Sequence, residues 1–66
     1  MLYPIKNIEN GRILYFEAQT PYLAMNKLKY CLGLSNGDAD KTQINKSPLQ
    51  NFLYIVYNGE TYCVKM

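Results

Sequence analysis

Two Asn-Gly dipeptides, Asn10-Gly11 and Asn58-Gly59, each stand between runs of apolar and aromatic residues, one toward either end of a 66-residue chain. Both residue types tolerate positive φ, which the type I′ turn demands at its two central positions because its twist matches that of the strands it joins. The chain is therefore expected to open and close with a β-hairpin.

Placing Asn10-Gly11 as a two-residue loop sets Glu9 opposite Arg12, Ile8 opposite Ile13, Lys6 opposite Tyr15 and Ile5 opposite Phe16. Glu9 and Arg12 would then form an opposite-charge pair across the turn. One face of this hairpin carries Tyr3, Ile5, Leu14, Phe16 and Ala18, the better core face. The other carries Leu2, Lys6, Ile8, Ile13, Tyr15 and Glu17. Pro4 has no N–H to give a ladder, which predicts that the first strand lies at the margin of its sheet. In the second hairpin Tyr57 pairs with Glu60, Ile55 with Tyr62 and Leu53 with Val64. Its inner face is Leu53, Ile55, Tyr57, Tyr62, Val64 and Met66. Its outer face is Phe52, Tyr54, Val56, Thr61, Cys63 and Lys65.

Between the hairpins, Thr20-Pro21 reads as a helix start, with Thr20 as N-cap and Pro21 where a missing N–H costs nothing. Leu23, Ala24, Met25, Leu28, Cys31 and Leu32 form the apolar stripe, Lys27 and Lys29 the polar side, and Gly33 the C-terminal stop. The stretch from Leu34 to Asn51 is polar and rich in Ser, Asn, Asp, Gly and Pro. An unstructured connection of this length is uncommon in a compact domain, so a helical turn capped by Asp38 is expected near Asp38 to Ile44. The predicted fold is a single small domain over residues 1–66 of class α+β, ordered ββαββ. Its sheet is four-stranded and mainly antiparallel, two hairpins with one helix packed on one face. Strand orders 1-2-4-3 and 1-2-3-4 both keep Pro4 at an edge, and the first, fully antiparallel, is preferred.

At this length only about 60% of the unfolded chain's surface is buried on folding, so a staple or a partner would help. Two cysteines and no histidine are too few ligands for a closed zinc site within one chain. A Cys31–Cys63 disulfide is not expected, because Cys31 belongs to the helix's apolar side, buried and inert, and Cys63 to the reachable outer sheet face. Asn36, Asp38 and Asp40 alternate like the start of a calcium loop, yet Gly37 stands in the second place instead of the sixth and Ser47 in the twelfth instead of Glu. Glu9, Glu17 and Glu60 are scattered by the registers, no histidine can serve as a base, and Ser35 and Ser47 have no nucleophile setting. The glycines each belong to a turn or a cap, which leaves no phosphate loop. The reading is therefore non-catalytic, without cofactor or metal.

What remains is a surface. One helix cannot cover both faces of a sheet, which leaves Lys6, Ile13, Tyr15, Phe52, Tyr54, Val56 and Lys65 on an open face, with Ile8 and Cys63 beside them. Seven tyrosines and two phenylalanines in so short a chain suit a contact surface, since Tyr gives large area at low entropy cost. A homodimer or another protein is the expected partner, held by the aromatic outer face or an edge of the sheet. The alternative is nucleic acid, with Tyr15, Phe52 and Tyr54 stacking on bases between Lys6 and Lys65. A third reading has the segment 34–51 fold over this face. No spanning segment or secretory leader is visible, and a cytoplasmic setting is expected.

Overall fold

The computed structural model describes residues 1–33, 42–48 and 50–66. Strands β1 (Leu2–Asn7) and β2 (Ile13–Glu17) form the first hairpin, and helix α1 (Pro21–Cys31) follows. Strand β3 (Asn45–Lys46) precedes the second hairpin, made of β4 (Phe52–Tyr57) and β5 (Glu60–Lys65). All pairings are antiparallel, in one five-stranded sheet of order β2-β1-β5-β4-β3. The α+β class and helix α1 agree with expectation. The four-stranded ββαββ description does not, because Asn45–Lys46 adds a fifth strand against Tyr54 and Leu53.

The second hairpin has the expected register, with Tyr57 opposite Glu60, Ile55 opposite Tyr62 and Leu53 opposite Val64. Asn58 (φ 53°) and Gly59 (φ 75°) both occupy the left-handed region, as a type I′ turn requires. The first hairpin differs. Lys6 pairs with Ile13 and Ile5 with Leu14, a displacement of two residues, so the loop is Ile8 to Gly11. Asn7 takes over as the organising residue: its Oδ1 accepts from the N–H groups of Glu9 (3.0 Å) and Asn10 (3.3 Å), an Asx-type turn. The Gly11 N–H donates to the Asn7 carbonyl at 2.8 Å, and only Gly11 (φ 74°) is left-handed. Glu9 is drawn away from Arg12 and accepts from the Thr61 N–H at 2.7 Å. Because strand side chains alternate with period two, a shift of two residues returns every one of them to its expected face.

The strand order corrects the sequence reading. The two hairpins meet where the interior strands β1 and β5 pair, through Ile5 opposite Val64, Lys6 opposite Cys63 and Asn7 opposite Tyr62. Pro4 is thus in an interior strand, not an edge one. The ladder parity explains how. Asn7 N–H donates to Arg12 and Ala18 N–H to the Met1 carbonyl, so odd-numbered residues of β1 bond toward β2 and even-numbered ones toward β5. The N–H that Pro4 lacks would have pointed at β5, and the β1–β5 ladder stops at Ile5, one residue short of it.

Helix α1 starts as expected, with Thr20 Oγ1 accepting from the Leu23 N–H and Pro21 in the first turn. Its end is marked by Gly33 (φ 81°), whose N–H donates to the Tyr30 carbonyl. Ala24, Met25 and Leu28 are buried with Ile5, Leu53, Ile55 and Val64 in one core, and Leu32 and Ile44 pack against it. The buried stripe is rotated from the expected one. Lys29, assigned to the polar side, is 7% exposed, whereas Cys31 and Leu23 are exposed. Positions 24, 25, 28, 29 and 32 share a helix face more closely than a set that also takes in 23 and 31, and a Lys stem can lie on apolar surface. Of the helical turn expected near Asp38 to Ile44, the Asp38 cap lies outside the described residues, and Thr42 to Ile44 is not helical. The alternating Asn36, Asp38 and Asp40 also lie outside them.

Candidate interaction surface

The registers of four strand pairs place Ile13, Lys6, Cys63, Tyr54 and Asn45 in one row across the sheet. This row belongs to the face opposite α1, because its neighbours Ile5, Leu14, Tyr62, Val64, Leu53 and Ile55 alternate onto the helix side. All seven residues expected on the open face lie there. Lys6, Ile13, Tyr15, Val56 and Lys65 are exposed, and Phe52 and Tyr54 are half-buried.

The face is divided. Leu2, Ile13 and Tyr15 gather on the first hairpin, with Tyr15 62% exposed. Phe52, Tyr54 and Val56 line β4, where the Phe52 and Tyr54 rings meet edge-on, centroids 6.5 Å apart at 62°. Between them run Lys6 on β1 and Thr61, Cys63 and Lys65 on β5. Three inter-strand spacings separate β2 from β4, about 14 Å, so Tyr15 and Tyr54 do not share one aromatic platform. Asn45 to Ser47 runs along the outer edge of β4 and extends the sheet, with Ile44 packed against the core. Residues 34–41 and 49 of the segment expected to cover the open face lie outside the described residues.

Both cysteines are free. Cys63 is half-buried at the centre of the face; burial raises its thiol pKa, and the neighbouring Lys6 charge partly opposes the rise. Cys31, expected buried, is exposed at the end of the helix, whereas Cys63 lies on the outer face as expected.

At one end of the sheet the carboxylates are less scattered than the expected registers implied. Glu60 Oε2 accepts from Asn7 Nδ2 (3.2 Å) and from the Tyr62 hydroxyl (2.9 Å), while Glu9 binds the Thr61 N–H. Burial, then the hydrogen bond to Glu60 and its charge, raise the Tyr62 pKa. A shallow cleft opens beside this group, flanked by Arg12, Leu14 and Asn10. Asn7 and Glu9 join the first hairpin to β5 through these bonds, and the Asn10 side chain accepts from the Arg12 N–H within its own loop. Glu17 lies apart, its Oε1 accepting from the Met1 ammonium at 2.6 Å. Among the described residues, no three side chains converge as metal ligands and no helix is long and apolar enough to cross a membrane.

Sequence reasoning missed a second exposed area beside the first hairpin. Leu23, Lys27 and Tyr30 line a groove on α1 together with Met1 and Ala18, and Lys27 Nζ donates to the Glu17 carbonyl at the end of β2. Their spacing of four and three residues was a usable signal, obscured because Leu23 was counted into the core stripe. No known protein family, curated protein or solved structure matches the chain.

Proposed function

We propose that this protein is a non-catalytic interaction module that associates with a second copy of itself through its sheet. The observation that carries this reading is the exposure of Leu2, Ile13, Tyr15 and Val56 on the sheet face that α1 does not touch. A domain of 66 residues gains most from burying such residues against a partner, and a second copy needs no further ingredient. Sedimentation velocity across a wide concentration range should show a monomer–dimer equilibrium. A strictly monomeric protein at the highest concentration would end the reading.

Nucleic-acid binding is the second reading, favoured by Lys6 and Lys65 standing on the same face as Tyr15, Phe52 and Tyr54. It predicts binding to labelled single-stranded DNA or RNA that weakens steeply as salt is raised. Tyr15→Ala and Tyr54→Ala should each cost ~1–3 kcal/mol per lost stack. Absence of binding at low salt removes this reading and leaves the first untouched.

A further inference from the structure

The sheet has two edges of different character. On one side β3 is two residues long, Asn45 and Lys46; short length and a Lys are the usual protections of an edge strand. On the other side β2 is five residues, Ile-Leu-Tyr-Phe-Glu, with neither Lys nor Pro. Its even-numbered residues bond to β1, as the Asn7–Arg12 and Ala18–Met1 hydrogen bonds fix. Ile13, Tyr15 and Glu17 therefore direct their N–H and C=O groups outward. Lys27 Nζ meets the Glu17 carbonyl there, which also places the exposed α1 residues Leu23 and Tyr30 beside this edge. Leu14 faces the helix side yet remains 42% exposed, at the rim of the cleft beside Arg12.

We propose that β2 pairs antiparallel with β2 of a second copy, in a register centred on Tyr15, joining two five-stranded sheets into one of ten. The proposal rests on the self-association reading and names the surface that makes it. In this register Tyr15 exchanges both backbone hydrogen bonds with its symmetry mate, and Ile13 does so with Glu17 of the other copy, whose carbonyl exchanges or shares its bond from Lys27 Nζ. The outward groups of one strand are thus complementary to themselves, as an isologous two-fold contact requires. On the helix side Leu14 packs beside Phe16 of the second copy, and the two α1 helices present Leu23 and Tyr30 to each other across the axis. Tyr15 and Tyr30, at 62% and 57% exposure, with Ile13, Leu14 and Leu23, bring on the order of 400 Å² per copy. That is about half of the roughly 800 Å² per partner in a standard interface, before the edge backbone is counted.

Disulfide trapping tests the register, in a chain carrying Cys31→Ser and Cys63→Ser. Tyr15→Cys should cross-link to itself under mild oxidation, since directly opposed residues of a hydrogen-bonded pair are about 5.5 Å apart at Cα, within disulfide range. Ile13→Cys alone should not, its mate lying about 14 Å away along the strand. Mixed with Glu17→Cys it should cross-link. As a second measurement, Tyr15→Pro removes the phenol ring and an outward N–H, leaves the β1 ladder intact, and should weaken association by about tenfold or more beyond the effect of Tyr15→Ala, two hydrogen bonds being lost by symmetry. A protein that dimerises while Tyr15→Cys stays uncross-linked, or while Tyr15→Pro associates as Tyr15→Ala does, overturns the β2 pairing and spares self-association through another surface. A protein that never dimerises overturns both.

Discussion

The same dipeptide closes the two hairpins and does different work in each. At Asn58-Gly59 both residues are left-handed and the loop is those two residues alone. At Asn10-Gly11 only Gly11 is left-handed, and the loop spans four residues because Asn7, three positions upstream, hydrogen-bonds into it. An Asn-Gly pair thus states that the chain turns. How many residues turn is decided by whether a neighbouring side chain offers the loop's N–H groups a partner.

The sharpest way to break this contrast is to remove that partner. Asn7 is 5% exposed and serves Glu9, Asn10 and Glu60 at once. Asn7→Ala should cost about 3 kcal/mol in urea unfolding, since each half-buried group left without its hydrogen bond contributes roughly 1–3 kcal/mol. Substitution within the two dipeptides should have smaller and unequal effects. Asn58→Ala forces an ordinary residue into the left-handed region and should cost about 1 kcal/mol. Asn10→Ala loses only the exposed bond from the Arg12 N–H to Asn10 Oδ1 and should cost about 0.5 kcal/mol. Equal losses at the two positions would show that the first loop is a type I′ turn after all.

The smallest effect is one of pH, at the point where the hairpins meet. The Tyr62 pKa in the folded protein is above its ordinary 10.0, from burial first and Glu60 second. The neutral phenol therefore contributes stability that is complete below pH 10.0 and is lost as pH rises through the folded value. Alkaline absorbance titration should show Tyr62 ionising above pH 10.0, and Glu60→Gln should lower its midpoint. An unchanged titration in that variant would mean that burial alone holds the proton.

The faces of the strands were legible in the sequence and the order of the strands was not. Ile5, Phe16, Leu53 and Val64 fell on the predicted sides because alternation survives any even slip, which is why the misplaced first register did no damage to the surface it defined. Strand order depends instead on a pairing between residues almost a chain length apart, and no local signal announces that Lys6 lies beside Cys63. Pro4 misled for a related reason: its missing N–H forbids a ladder at one position on one side, which an interior strand can meet by ending that ladder early. The rotation of α1 about its axis was hidden by Lys29, whose charge reads as solvent-facing although its stem is buried. The open face emerged from the faces alone; its division into two patches emerged only from strand order.

The β1–β5 ladder has a kinetic consequence. Each hairpin and α1 is built from neighbours in sequence, and each can form within microseconds of its own residues becoming available. The junction between the hairpins joins residues 5–7 to 62–64, so it closes a loop of nearly the whole chain. During synthesis the first hairpin and the helix must wait, with Ile5, Met25 and Leu28 unsheltered, until the last strand arrives. Folding of this small protein is thus expected to be a docking of finished pieces, limited by one late, long-range encounter.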